Sequence, residues 1–277
     1  MATSPPPTPS ESSPLARPRQ RSGEQADPNF ATTLAHGLAL LAAFRPGEPA
    51  LTNGELALRT GLSRPTVSRL THTLAELGYL RRDANGRYRL GPQVLAVAYP
   101  LLAGLKIRQL ARPMMRDFAA YAGGTVSIAM PHGFNFIYLE TVRTSESAPH
   151  IPDVGFSSTL ATTAVGRSLL SLYTPEEFAD YDAQMGRADA AQWQQWRPHT
   201  LAGIEACRAR GFSMSLGEWR PEIYAVAAPL YRTPDGDCLA VNCGIPSFRY
   251  SPEQIEQECG PRMLNLARSI RALLPGA

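Results

Sequence analysis

Apolar residues recur three and four positions apart from Val67 onward, and this spacing sets Val67, Leu70, Leu74 and Leu77 on one face of a helix. Ser63 is a good N-cap for that helix, and Gly78 ends it. Upstream, FATTLAHGLALLAAF over residues 30–44 carries Leu34, Leu38 and Leu41 at helical spacing, and PGEPA then breaks the chain. The run Thr52-Asn-Gly-Glu55 fits a capping box and predicts a short helix to about Thr60, with Gly61 making the turn. Downstream, YLRRDANGRYRLG alternates as a hairpin does, with Asn85-Gly86 as the positive-φ turn between Tyr79-Leu80 and Arg87–Leu90. Helix, helix, turn, helix and hairpin together predict a winged helix-turn-helix over 30–91, followed by a linker helix over 92–106.

The pattern changes beyond residue 107. A helix is predicted over Ile107–Tyr121. Strands follow at Thr125–Met130 and Phe136–Val142, with His132-Gly133 between them. Helices are expected near Thr163–Leu172, from Pro175 behind a second capping box (Thr174 to Glu177), and near Leu201–Ala209. Strands near Ile223–Tyr231 and Cys238–Ile245 flank the turn signal Asp235-Gly236, and a last helix starts at Pro252. Antiparallel strands mixed with helices predict an α+β domain over 107–277. Residues 1–29 are rich in Pro, Ser and Thr, cannot bury enough surface to offset their ordering entropy, and are predicted to be a disordered tail.

Charge sharpens the picture. Residues 30–92 hold 8 Lys or Arg against 4 Asp or Glu, whereas residues 93–277 hold 16 against 17. The basic excess therefore sits in the winged segment, as expected of a small nucleic-acid module joined to a near-neutral domain. No apolar run approaches the roughly 18 residues that span a membrane, and the N-terminus lacks the apolar core of a signal peptide. Cys207, Cys238, Cys243 and Cys259 lack metal-ligand spacing and read as reduced thiols in a cytoplasmic protein. No cofactor is called for.

The chemistry concentrates in SRPTVSR at Ser63–Arg69. With Val67 and Leu70 turned inward, Ser63, Arg64, Pro65, Thr66, Ser68, Arg69 and His72 are left on or near the outer side. Arginine can pair with the acceptors of guanine, and Ser and Thr can reach bases or phosphates. A cation in the first helical turn opposes the macrodipole by about 0.3–1 kcal/mol, so Arg64 makes sense where a polyanion arrives. Pro65 costs little there, because first-turn amides have no partner inside the helix. Arg81, Arg82, Arg87 and Arg89 lie on or beside the hairpin and are expected at phosphates or the minor groove; the other reading is a solvated strand face.

Three stretches resemble the IclR family of bacterial transcription regulators: ELALRTGLSRPTVSRLTHTLAELGYLRRDANGRYRLG, TTAVGRSLLS and GFSMSLGEWRPEIYAVAAPLY. In the third, Gly211, Ser215, Glu218, Ala225, Val226, Ala227, Leu230 and Tyr231 fit the family pattern, while Arg232 departs from the expected Asp or Asn. The resemblance implies a GAF-like C-terminal domain that binds a small acid effector, and homodimers, often paired into tetramers, on palindromic double-stranded operator DNA. Carried over position by position, it puts Thr163, Ala164 and Val165 at a helix start facing the effector, with Ser215, Ala225 and Cys243 lining the cavity and Glu218 in the loop that covers it. Ser215 stands where the pattern also allows Asp, and Ala225 keeps that wall small, which favours an aromatic or branched acid. Two readings of TTAVGR remain open: an anion site at a helix N-terminus, or close packing through small residues. Two rivals also stand for the whole chain. One is a DNA-binding protein whose second domain only dimerises. The other is an enzyme with a fused winged helix, for which Cys243 would be the best nucleophile and no His has a recognisable spacing.

Overall fold

The computed structural model describes residues 29–48, 50–144, 152–233 and 235–274, and the expectation for residues 1–28 lies outside them. The described chain divides into two compact units between Leu105 and Lys106.

The first unit holds α1 (Thr32–Ala42), α2 (Asn53–Thr60) and α3 (Arg64–Glu76), then β1 (Leu80–Arg82), β2 (Tyr88–Leu90) and α4 (Gln93–Gly104). Thr52 and Glu55 form the reciprocal capping box, with the Thr52 amide donating to Glu55 Oε2 at 2.7 Å and the Glu55 amide to Thr52 Oγ1 at 3.2 Å. Gly61 adopts φ 71°, which ends α2 without the penalty a side chain would bring. β1 and β2 pair antiparallel, and Leu51 bridges to Tyr88. Asn85 keeps a negative φ, so Gly86 alone (φ 76°) supplies the left-handed step of the turn. Asp83 Oδ1 accepts from the amides of Asn85 and Arg87, both at 2.9 Å. Leu40, Leu51, Leu56, Val67, Leu80 and Tyr88 make the core.

Two apolar expectations change. Leu77 is 60% exposed, because at 100° per residue it falls about 80° from Val67, at the edge of the buried stripe. Thr71 is buried on that stripe instead, and its hydroxyl donates to Asn53 Oδ1 at 3.1 Å, joining α3 to α2. On α1 the buried residues are Gly37 and Leu40, while Leu34 and Leu38 are 64% and 58% exposed.

The second unit holds α5 (Lys106–Ala122), β3 (Thr125–His132), β4 (Asn135–Arg143), β5 (Ser157–Thr159), α6 (Ala164–Leu170), α7 (Pro175–Ala188), α8 (Ala190–Arg210), β6 (Ser213–Leu216), β7 (Ile223–Arg232) and β8 (Cys238–Pro246). A helical turn α9 (Pro252–Gln254), a π-helical turn (Ile255–Cys259) and α10 (Gly260–Ala272) close it. The strands form one antiparallel sheet in the order β5-β4-β3-β8-β7-β6. α5 and α10 pack against the sheet and each other, and α6 packs on the sheet with α8. β5 and β6, only three and four residues long, were not foreseen. α8 starts well before the expected Leu201: Asp189 caps it, and Trp193 and Trp196 are both buried. The Trp193 ring N–H donates to Asp182 Oδ1 at 2.7 Å, so both tryptophans of the run Trp193-Gln-Gln-Trp196 serve packing. Arg232, the departure from the family pattern, makes a two-pronged pair with Glu177 at 2.7 Å on each prong. Glu177 is also the acceptor of the α7 capping box, and the guanidinium and the Thr174 amide hold its carboxyl below the usual range.

Candidate functional site

The outer face of α3 is built by subtraction. Val67 and Thr71 are buried, so Pro65 and Arg69 fall within about 40° of the opposite direction and His72 within about 60°. Ser63, Arg64, Pro65, Ser68, Arg69 and His72 are exposed and Thr66 is half-buried. Ser63 Oγ accepts from the Thr66 amide at 3.4 Å and lies 2.8 Å from Thr66 Oγ1, so these two hydroxyls are engaged in the cap. No acidic side chain stands in the first turn. Glu76 is exposed at the C-terminal end of the same face and sets a negative charge there, so the cationic part of the face is its N-terminal half.

The wing arginines differ among themselves. Arg87 is turned toward α2, with Nη2 at 3.3 and 3.4 Å from the two oxygens of Glu55, so it ties the wing to the capping box. This long-range pair was not legible in the sequence. Arg81, Arg82 and Arg89 are exposed, and the Arg82 guanidinium lies over the Tyr88 ring at 5.8 Å. Arg81 and Arg89 are direct partners across the hairpin. Like charges facing each other across two strands destabilise the free hairpin, and an anion bound between them removes that cost. Replacing Arg81 or Arg89 by alanine is expected to weaken binding to all duplex DNA alike and to lower the salt slope by about one unit for each lost phosphate contact. Affinity measured against salt concentration, on specific and non-specific duplexes, checks this.

In the second unit, register decides which residues meet. One row across the sheet runs Ser213, Ala227, Asn242, Ser127, Thr141, and the adjacent row runs Ser215, Ala225, Gly244, Thr125. These small side chains lie on the face that α6 covers: Ser213 Oγ donates to the Ala164 carbonyl at 2.6 Å, and Ala227 shares a core with Ala164 and Val165. Thr163 caps α6, accepting from the Gly166 amide at 3.1 Å, and Thr163, Ala164 and Val165 are buried. A side chain at Gly166 would start 2.0 Å from the Leu160 carbonyl oxygen, so close packing accounts for this glycine.

Arg167 is buried, at 4% exposure. It passes over Gly203, donates to the Met214 carbonyl at 2.8 Å and pairs with Glu218. Glu218 therefore ties the turn after β6 to α6 through a side chain. The same turn carries Trp219, whose ring meets Phe156 edge-on at 5.9 Å, and Phe156 stacks obliquely on Tyr138 at 5.6 Å. Aromatic side chains thus wall one side of the polar floor.

Cys243 is placed elsewhere. It pairs in register with Val226, one residue out of step with Ala225, so its side chain points to the opposite sheet face. There it meets Gly124 and the surroundings of Cys259, and burial pushes its thiol far up, away from a reactive thiolate. The residue facing α6 from this segment is Asn242. Its signal was the one polar side chain inside the apolar run CLAVNCGI. Tyr138 and Phe156 had no comparable signal.

Known proteins match this architecture. The model of the IclR helix-turn-helix domain matches residues 33–84, and that of the bacterial transcriptional regulator IclR C-terminal domain matches residues 100–272. The chain is 30% identical over 200 residues to the HTH-type transcriptional regulator KipR of Bacillus subtilis, covering 72% of this chain and 80% of that one. It is 26% identical over 266 residues to the p-hydroxybenzoate hydroxylase transcriptional activator of Acinetobacter baylyi, covering 94% and 97%. The crystal structure of an IclR family transcriptional regulator from Brucella abortus superimposes with a TM-score of 0.80 at 35% identity, covering 91% and 96%. With a winged helix-turn-helix, an α+β second domain and both family models matched, this chain belongs to the IclR family of DNA-binding transcriptional regulators.

Proposed function

We propose that this regulator binds double-stranded operator DNA in the cytoplasm as a homodimer, and that a small carboxylic acid, aromatic or branched, modulates that binding from the second domain. Reading falls to Arg64, Pro65, Ser68, Arg69 and His72, with Ser63 and Thr66 setting the helix end. Phosphate contact falls to Arg81, Arg82 and Arg89, and Arg87 holds the wing in place. Dimer formation is supported by exposed apolar side chains in the first unit: Phe30, just before α1, with Leu34 and Leu38 on it at four-residue spacing, and Leu95, Val97, Tyr99 and Leu101 on α4.

The observation that carries the effector reading is the floor of small and polar side chains beneath α6, walled by Tyr138, Phe156 and Trp219. Ser215 and Ala225 belong to that floor, and Thr163, Ala164 and Val165 stand over it; Glu218 secures the turn that covers it. The relative named for p-hydroxybenzoate hydroxylase control supports an aromatic acid. Such a ligand shifts operator binding only as far as its affinity differs between the two DNA-binding arrangements. Gel shift on the intergenic DNA beside the gene, with a panel of aromatic and branched acids, tests this. An acid that moves the binding midpoint severalfold is the expected result. Strong operator binding that no acid alters would instead favour a second domain that only dimerises.

A further inference from the structure

We propose that Tyr138 and Asn242 together read a hydroxyl group on the effector, at the end away from its carboxylate. The inference rests on the effector reading above and narrows it to hydroxylated acids.

Asn242 Nδ2 donates to the Tyr138 hydroxyl at 2.9 Å. That bond leaves Asn242 Oδ1 buried with no partner among the described residues. It also leaves the phenolic hydrogen of Tyr138 to be given, and no acceptor for it is found among the described residues. Asn242 is 5% exposed and Tyr138 7%. The pair thus offers one acceptor and one donor from adjacent points. A hydroxyl group answers both, since it donates to Oδ1 and accepts from the phenol. A carboxylate answers only one, and would set its charge against the amide oxygen. Burial also raises the Tyr138 pKa, so the phenol stays a neutral donor.

Placement fits a ligand held at two ends. Ser213, which bonds the Ala164 carbonyl under α6, is separated from Asn242 by Ala227 on the strand between. Two strand spacings make about 10 Å, the scale of one aromatic ring with substituents at opposite ends. The ring of Phe156, against Tyr138 and Trp219, supplies an apolar side for it. Thr125 Oγ1, in the neighbouring row beside Gly244, is likewise buried without a partner among the described residues.

Calorimetric titration of the full chain tests the idea with two pairs of acids that differ by one hydroxyl: benzoate with 4-hydroxybenzoate, and phenylacetate with 4-hydroxyphenylacetate. The hydroxylated member of at least one pair should bind tenfold or more tightly than its partner, because a site built to bond a hydroxyl rejects the analogue lacking it. Tyr138→Phe, which removes only the phenolic oxygen, should cut that preference below threefold and leave the affinity for the unhydroxylated acid within threefold. Should thermal unfolding show Tyr138→Phe to be misfolded, Asn242→Ser is read by the same criterion. Equal binding within both pairs, as from a floor that holds only water, would overturn the hydroxyl reading and leave the effector site standing. So would a preference that survives both substitutions. If none of the four acids binds, the effector reading for aromatic acids fails, and this inference with it.

Discussion

Arg64→Ala should lose operator discrimination by about 1–3 kcal/mol, roughly five- to 150-fold, while making the free protein slightly more stable. The two halves of this result have opposite signs for one reason. Arg64 is the first residue of α3, exposed, in a first turn that holds no acidic side chain. In the free protein its charge opposes the helix dipole by about 0.3–1 kcal/mol. On DNA the same charge is expected to meet phosphates or a guanine edge. Competition between an operator duplex and a scrambled one measures the first half, and urea unfolding measures the second. Intact discrimination in Arg64→Ala would remove Arg64 from the reading set and leave Arg69, on the outward stripe, as the arginine to test next.

The second large effect is on stability. Gly166→Ala would set a methyl 2.0 Å from the Leu160 carbonyl oxygen and 2.4 Å from its Cα, both backbone atoms that cannot swing aside. Overpacking of a core typically costs about 1–3 kcal/mol and occasionally more. Here the clash is with backbone, so the expected loss is at the upper end, about 3 kcal/mol, confined to the second unit. Urea unfolding read from tryptophan fluorescence should report it, since Trp193, Trp196 and Trp219 all lie in that unit. Gly37→Ala is the control: nothing lies within 4 Å of the added methyl, and alanine in a helix interior is better than glycine by about 0.5–1 kcal/mol. Equal stability of Gly166→Ala and the parent would refute the packing account of TTAVGR.

Local chemistry was the legible part. Both foreseen capping boxes formed, as did the Ser63 cap, the stop at Gly61 and the hairpin after α3, because each depends on residues within a few positions of one another. Periodicity failed where it was asked what covers a face. Leu34, Leu38 and Leu77 share helical spacing with buried residues and are exposed, since spacing states which side chains point together and not what stands opposite. Pairs separated by tens of residues were invisible for the same reason: Arg87 with Glu55, Arg232 with Glu177, Arg167 with Glu218.

By itself, the sequence determined a basic winged helix-turn-helix, its outward residues and an α+β partner domain, because backbone periodicity, caps and turns are set by neighbours in the chain. Tertiary structure alone decided which side chains line the sheet beneath α6. A strand turns its side chains alternately to two faces, and only the pairing register says which face meets α6. A single step of register puts Asn242 on the floor beside Tyr138 and sends Cys243 to the other side of the sheet.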